Sequence, residues 1–351
     1  MPEAPPQVRV RPPLVELTLT RLRELWREPE AVFWVFVFPI VLAAILGLAF
    51  RSRPPEPVPV AVVAGPQAEE RRAALAAQGD LEVLVLPEDE ARQALVRGRV
   101  ALVVSAGHPP SYAFDTTQPE SRAARLAVDA ALQKAGGRAD VFTAGRAEVT
   151  EPGARYVDFL VPGLLGMNLM GTGMWGIGFS LVVARNGHLL KRLVAAPARK
   201  SHLLAAQIIS RLIFLVFEAG ALLVFAHFLL GVPVRGSLLA LAGVSVLGAM
   251  AFSGLGLLTA ARPRTIEGVS GLMNLVMVPM WIFSGIFFST DRFPAAAQPL
   301  VQALPLTALN DALRGVMLDG ASVAALLPEL GLLVAWGAVS FVVALKIFRW
   351  Q

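Results

Sequence analysis

The sequence predicts an α-helical integral membrane protein with six transmembrane helices and an α/β domain inserted between the first and second spans. Of its 351 residues, 55% are hydrophobic and only 16% are charged, a balance well off that of soluble domains. A hydrocarbon core of roughly 30 Å needs about 20 apolar residues in a helix. Six segments qualify, at approximately 32–50, 160–184, 203–230, 238–260, 269–288 and 323–345. Residues 51–155 instead carry the mixed charges and short apolar alternations of an ordinary soluble domain.

Orientation follows from Lys and Arg in the short links, because cations are retained on the cytoplasmic side. With the N-terminus inside, residues 1–31 carry five, 185–202 five, 261–268 two and the C-terminal tail two, fourteen in all. The opposite side carries three: Arg235, Arg292 and Arg314. Both termini are therefore expected in the cytoplasm, and the long insertion, which escapes the counting rule, outside it. The first apolar run follows about 31 polar or amphipathic residues without a clear small-residue cleavage site, so it reads as a retained anchor.

Ahead of it, Leu14, Val15, Leu19, Leu22, Leu25 and Trp26 fall within an arc of about 140° at helical spacing. Pro12, Pro13 and Pro29 punctuate the ends. This predicts a short helix lying in the cytoplasmic interface.

The insertion alternates strand-like and helical runs. Strands are expected at Val58 to Val63, Leu81 to Leu86, Val100 to Val104 and Tyr112 to Phe114, with helices near 67–78, near 88–97 and from Pro119. Thr117 and Glu120 have the spacing of a capping box for the last helix, and Gly136 and Gly137 its stop.

Several chemistries are excluded. There is no cysteine, which removes disulfides, thiolate nucleophiles and Cys-ligated metals. His108, His188, His202 and His227 lack metal-ligand spacing, and no Gly-x-Ser-x-Gly elbow is present. No Gly-Lys pair exists, so the chain has no phosphate loop, and any ATP that drives it must be bound by another polypeptide. The net charge of +5 is spread over links with no basic block, which argues for membrane orientation and against nucleic acid.

Arg211 and Glu218 stand inside the third apolar segment, where a charge is costly and normally faces the bundle interior, a cavity or a partner. Arg211, roughly 12 Å into the segment, can alternatively snorkel to the cytoplasmic headgroups, whereas Glu218 lies near mid-depth. Seven residues apart, they share a face but sit two turns from one another, so an ion pair within the helix would be strained. Asn168 and Thr172 in the second span either line a polar path or join a close helix contact made by Gly163, Gly166, Gly171, Gly173, Gly176 and Gly178. In the cytoplasmic link, Leu189, Leu190, Leu193 and Val194 recur at helical spacing among Lys191, Arg192, Arg199 and Lys200, with Pro197 as a break. That segment either docks into a groove on a cytoplasmic partner or lies in the interface to hold orientation. In the external link 289–322, Pro294, Pro299 and Pro305 break the chain into short helices, and Asp311 and Arg314 suit a local salt bridge.

The layout and several strings resemble the permease subunits of type-two ATP-binding-cassette exporters, in the drug and lipid export branch with a large external domain. The resemblance runs from residue 14 to nearly the end. It is strongest in PMWIFSGIFFSTDRFP at 279–294 and LPLTALNDALRGVM at 304–317. Those strings supply Pro279, Ser284, Gly285, Phe288, Pro294, Pro305, Leu306, Thr307, Asp311, Leu313 and Arg314. Gly187, Leu193 and Pro197 are similar to the family's coupling segment, although Arg185, Asn186 and Lys191 stand where acidic residues are frequent.

The resemblance implies a dimeric pore of twelve spans, formed with a second copy or a close paralogue in a bacterial-type inner membrane. It further implies an interfacial connecting helix at 14–27, a coupling helix at 187–200 and re-entrant external helices before the last span. Two separate ATPase subunits would hold ATP and Mg, leaving this chain without a cofactor, a metal or a catalytic residue of its own. Gly187, Leu189, Leu190, Leu193, Pro197 and Arg199 are then expected to couple to the ATPase. Asn168, Thr172, Arg211, Glu218, Pro279, Ser284 and Gly285 are expected on the path or the subunit seam, and Phe288, Pro294, Pro305, Asp311 and Arg314 in an external gate.

The expected function is ATP-driven export of hydrophobic or amphipathic compounds, lipids included. Two other classes stay open: a proton-coupled carrier using Glu218, and a receptor with residues 51–155 as sensor and 187–200 as output.

Overall fold

The computed structural model describes residues 12–50, 57–77, 79–139, 142, 155–180, 182–183, 200–263 and 265–347. The chain divides into two compact units, one of residues 52–148 and one joining residues 1–51 to 149–351.

The smaller unit is an α/β layer. Strands β1 (Val58–Val63), β2 (Leu81–Leu86), β3 (Leu102–Val104) and β4 (Tyr112–Phe114) form one sheet in the order β2-β1-β3-β4. β1 runs parallel to both β2 and β3, and β4 closes the sheet antiparallel to β3. The two-residue period of β1 drives the layering, because successive side chains of a strand point to opposite faces. Val60 and Val62 pack in one core with residues of α4 (Ala68–Ala76) and α6 (Pro119–Ala135), while Ala61 and Val63 pack in another with Ala91 and Ala94 of α5 (Glu88–Val96).

Arg71 is buried in this unit and staples the loop after β3, donating to the Ser105 and Gly107 carbonyls and to Gln67 Oε1. The capping box expected at Thr117 and Glu120 does not form. Thr117 instead gives both its backbone N–H and its hydroxyl to Asp115 Oδ1, at 2.8 and 2.7 Å, and Gln118 becomes the N-cap of α6 without a side-chain bond. Asp115 won that competition because its carboxylate reaches two residues ahead, as Asx turns do. The same bonds hold the exposed Asp115 carboxyl below its usual value.

The larger unit is helical. It begins with α1 (Pro13–Trp26) and continues through α2 (Pro29–Val32), a π-turn at Phe33–Val37 and α3 (Phe38–Ala49). α7 (Tyr156–Met174) runs into a second π-turn at Trp175–Phe179. Then follow α8 (Lys200–Leu230), α9 (Leu238–Ala260), α10 (Ile266–Phe283), a 3-10 turn at Thr290–Arg292, α11 (Gln298–Gln302), α12 (Pro305–Met317) and α13 (Leu327–Ile347).

Four described helical stretches are long and apolar enough to cross a membrane: Ile209–Leu230 within α8, α9, α10 and α13. Phe33–Ala49 is a shorter apolar run. α7 is 19 residues long and buried along nearly its whole length, but Asp158, Asn168, Thr172 and its glycines dilute its hydropathy. It occupies the middle of the unit, packed against α3, α9 and α12, while α1 lies along α8. α9 approaches α7 closely because both faces are stripped of side chains there. A Cβ on Gly173 would stand 2.8 Å from the Phe252 side chain, and one on Gly256 would stand 2.7 Å from the Met174 carbonyl oxygen. Packing of this kind replaces the hydrophobic effect as the force between helices in lipid.

Candidate functional site

Two polar sets interrupt the apolar interior of the larger unit. The first is built where α7, α8 and the π-turn at Phe33–Val37 meet. Glu218 is 1% exposed, and its Oε1 accepts the Thr172 hydroxyl at 2.9 Å. One turn earlier on α7, Asn168 donates from Nδ2 to the Val35 carbonyl at 3.1 Å. A π-turn frees backbone carbonyls from the regular i to i−4 ladder, which explains why a side-chain amide finds a partner there. Arg211 lies against the second π-turn, where a Cβ on Gly176 would stand 3.0 Å from its Nη1. Among the described residues no salt bridge joins Arg211 to Glu218, in keeping with their seven-residue spacing. Arg211 Nε and Nη2 and Glu218 Oε2 are buried without a hydrogen-bond partner.

The second set joins the C-terminus of α10 to α7 and α12. α10 contains Pro279 and ends at Ser284, which is fully buried, and the chain turns at Gly285 with φ +69°, a left-handed conformation that favours glycine. Asn310 donates from Nδ2 to the Ser284 carbonyl at 2.8 Å. Arg314 donates to the Gly285 carbonyl and places its guanidinium 3.8 Å from the centre of the Phe159 ring, a cation–π contact. Its ion pair with Asp311 is present at 3.4 Å. The local salt bridge expected from spacing is therefore one part of a larger role, in which Arg314 ties α12 to α7 and to the turn after α10. Phe288 packs on Phe293, Pro305 starts α12 in its first turn, and Pro294 precedes the short helix α11.

Near this set, Arg155 and Asp158 form a reciprocal cap at the start of α7. Arg155 Nη2 lies 2.7 Å from Asp158 Oδ1 and 2.8 Å from the Gly231 carbonyl oxygen, so the pair also holds the turn between α8 and α9. The bond to Asp158 raises the Arg155 pKa above its usual value. Tyr156 donates its hydroxyl to the Phe287 carbonyl at 3.0 Å.

Asn168, Thr172, Arg211 and Glu218 thus come together, and Ser284, Gly285, Asp311 and Arg314 form a separate group. Gly187, Leu189, Leu190, Leu193, Pro197 and Arg199 lie outside the described residues. Asn310, Arg155, Asp158 and Tyr156 were not singled out by sequence. A signal existed for two of them: Arg155 and Asp158 stand three apart just ahead of an apolar run.

The sequence profile of a family described as ABC-2 family transporter protein matches residues 30–346. The chain is 27% identical over 176 residues to the linearmycin resistance permease protein LnrN of Bacillus subtilis, covering 50% of this chain and 46% of that protein. It is 27% identical over 172 residues to the probable multidrug ABC transporter permease YbhS of Escherichia coli, covering 48% and 45%. It is 27% identical over 203 residues to the inner membrane transport permease YadH of Escherichia coli, covering 57% and 75%. The chain spans about half the length of the first two of these relatives. With the profile match extending over most of its length, this multipass membrane chain belongs to the ABC-2 transporter family, as a permease.

Proposed function

We propose that this chain is the permease subunit of an ATP-driven exporter that moves hydrophobic or amphipathic compounds out of the cytoplasm or inner leaflet by alternating access. It crosses the inner membrane six times, with both termini cytoplasmic and residues 51–155 outside. It pairs with a second permease copy, and two ATPase subunits supply the energy through the link 185–202. The observation that carries this reading is the polar set of Asn168, Thr172 and Glu218, buried among apolar helices with the half-buried Arg211 beside it, in a chain of this family. Buried polar groups in a membrane bundle are costly, and function is the usual reason for keeping them. The relatives named for multidrug transport and linearmycin resistance support a drug-like cargo. The absent phosphate loop supports a separate ATPase.

Inverted membrane vesicles holding the chain and its ATPase test the proposal. They accumulate a lipophilic dye on addition of ATP, and a proton gradient alone does not replace ATP. The unpartnered Glu218 Oε2 favours one competing reading, a proton-coupled carrier. In that case the gradient alone drives uptake and Glu218→Gln abolishes it.

A further inference from the structure

Resting on the exporter reading, we propose that the interior between Arg211 and Glu218 is a binding subsite for a hydroxyl or primary amide carried by an otherwise apolar substrate.

The geometry defines both the place and the chemistry. Glu218 is anchored to Thr172, and the Arg211 guanidinium rests against Gly176, four residues further along the same helical run. Four residues correspond to about 6 Å along a helix, so the two charged groups are offset by roughly one turn. That offset is too long for a direct ion pair and close to what one bridging group spans. On the cation side, Nε and Nη2 are donors without acceptors, and on the anion side Oε2 is an acceptor without a donor. A guanidinium only donates and a carboxylate only accepts, so the occupant must accept from one and donate to the other. A carboxylate or phosphate would face Glu218 with like charge, and an ammonium would face Arg211 likewise. Hydroxyls and primary amides meet both demands, and so does water.

Both π-turns of the larger unit contact this polar set, since Val35 accepts from Asn168 and the missing side chain of Gly176 is what lets the Arg211 guanidinium pack there. Departures of this kind from the regular helix ladder are frequent at functional sites.

The test uses the full chain in lipid nanodiscs, titrated with 1-dodecanol and, separately, with its methyl ether, which accepts but cannot donate. Tryptophan fluorescence reads binding, because Trp175 adjoins Gly176. The alcohol is expected to bind about tenfold more tightly than the ether at equal membrane concentration, the usual scale of one buried hydrogen bond. In Glu218→Leu the ratio falls to about one, whereas Arg211→Met weakens both ligands and keeps the ratio, because only the bond donated to Glu218 separates alcohol from ether. A ratio of about one in the native chain assigns the gap to water alone and overturns the proposal. A preference that survives in Glu218→Leu overturns it as well, as does one that is lost in Arg211→Met with ether binding unchanged. If a variant does not fold, the native ratio still decides. Failure of the exporter reading shows separately, as dye accumulation that needs no ATP, and leaves this ratio readable.

Discussion

Asn310 and Gly166 fit together as a side chain and the absence of one: a Cβ on Gly166 would collide with Asn310 Oδ1. Asn310 cannot move aside freely, because its Nδ2 is held by the Ser284 carbonyl. Gly166→Ala is therefore expected to destabilise the chain by about 1–3 kcal/mol, the range for overpacking. Adding Asn310→Ala should recover part of the loss. Thermal unfolding of the detergent-solubilised single and double variants checks this, and simple additivity of the two effects would contradict it.

Asp158 is 0% exposed and accepts three bonds from Arg155, two of them from its guanidinium. Arg155→Met removes both guanidinium bonds from that buried carboxylate while the backbone N–H of residue 155 stays, and is expected to cost roughly 1–3 kcal/mol. The same substitution frees the Gly231 carbonyl. Proteolysis in the turn between α8 and α9 should accelerate in Arg155→Met and stay at the native rate in Arg23→Met, whose salt bridge with Glu16 is exposed.

The proposed topology is open to direct labelling, because the chain has no native cysteine. Val96, 82% exposed in the α/β unit, and Arg262, exposed in the link between α9 and α10, report on opposite sides. A membrane-impermeant maleimide applied to intact cells, or to spheroplasts where an outer membrane is present, should label Val96→Cys and spare Arg262→Cys until the membrane is broken. The reverse pattern would invert the topology.

Coupling through the cytoplasmic link has its own test. Leu193→Asp places a charge on the apolar face proposed to dock on the ATPase. Substrate-stimulated ATP hydrolysis should fall at least tenfold while membrane insertion is preserved, and unchanged stimulation would remove Leu193 from the docking role.

How much of this was legible in the sequence depended on the range of the interactions. The strands and helices of residues 52–148 follow from periodicity, and β1, β2, β4 and the start of α6 fall where the pattern placed them. The run from Val100 narrows to a ladder at Leu102–Val104, although Val100 is still buried. The cap at Thr117 failed because two local hydrogen-bonding options competed and spacing alone does not rank them. In the larger unit, the cost of a charge in an apolar run singled out Arg211 and Glu218, but Thr172 meeting Glu218 is a contact between residues 46 apart in sequence. Asn310 escaped notice because its partners, Gly166 and Ser284, lie on other helices and no periodic pattern links them. Arg314 showed its short-range partner Asp311 in the sequence, while its stacking on Phe159 emerges only from the packing of α12 on α7.

The central claim, a permease driven by a separate ATPase, is tested most directly by purifying the full chain from its native membranes in mild detergent. The eluate is identified and assayed for ATP hydrolysis. The account predicts a stoichiometric partner that carries a phosphate loop, hydrolyses ATP and is stimulated by apolar compounds. A chain that transports after reconstitution on its own, with a proton gradient and no ATP, would contradict it.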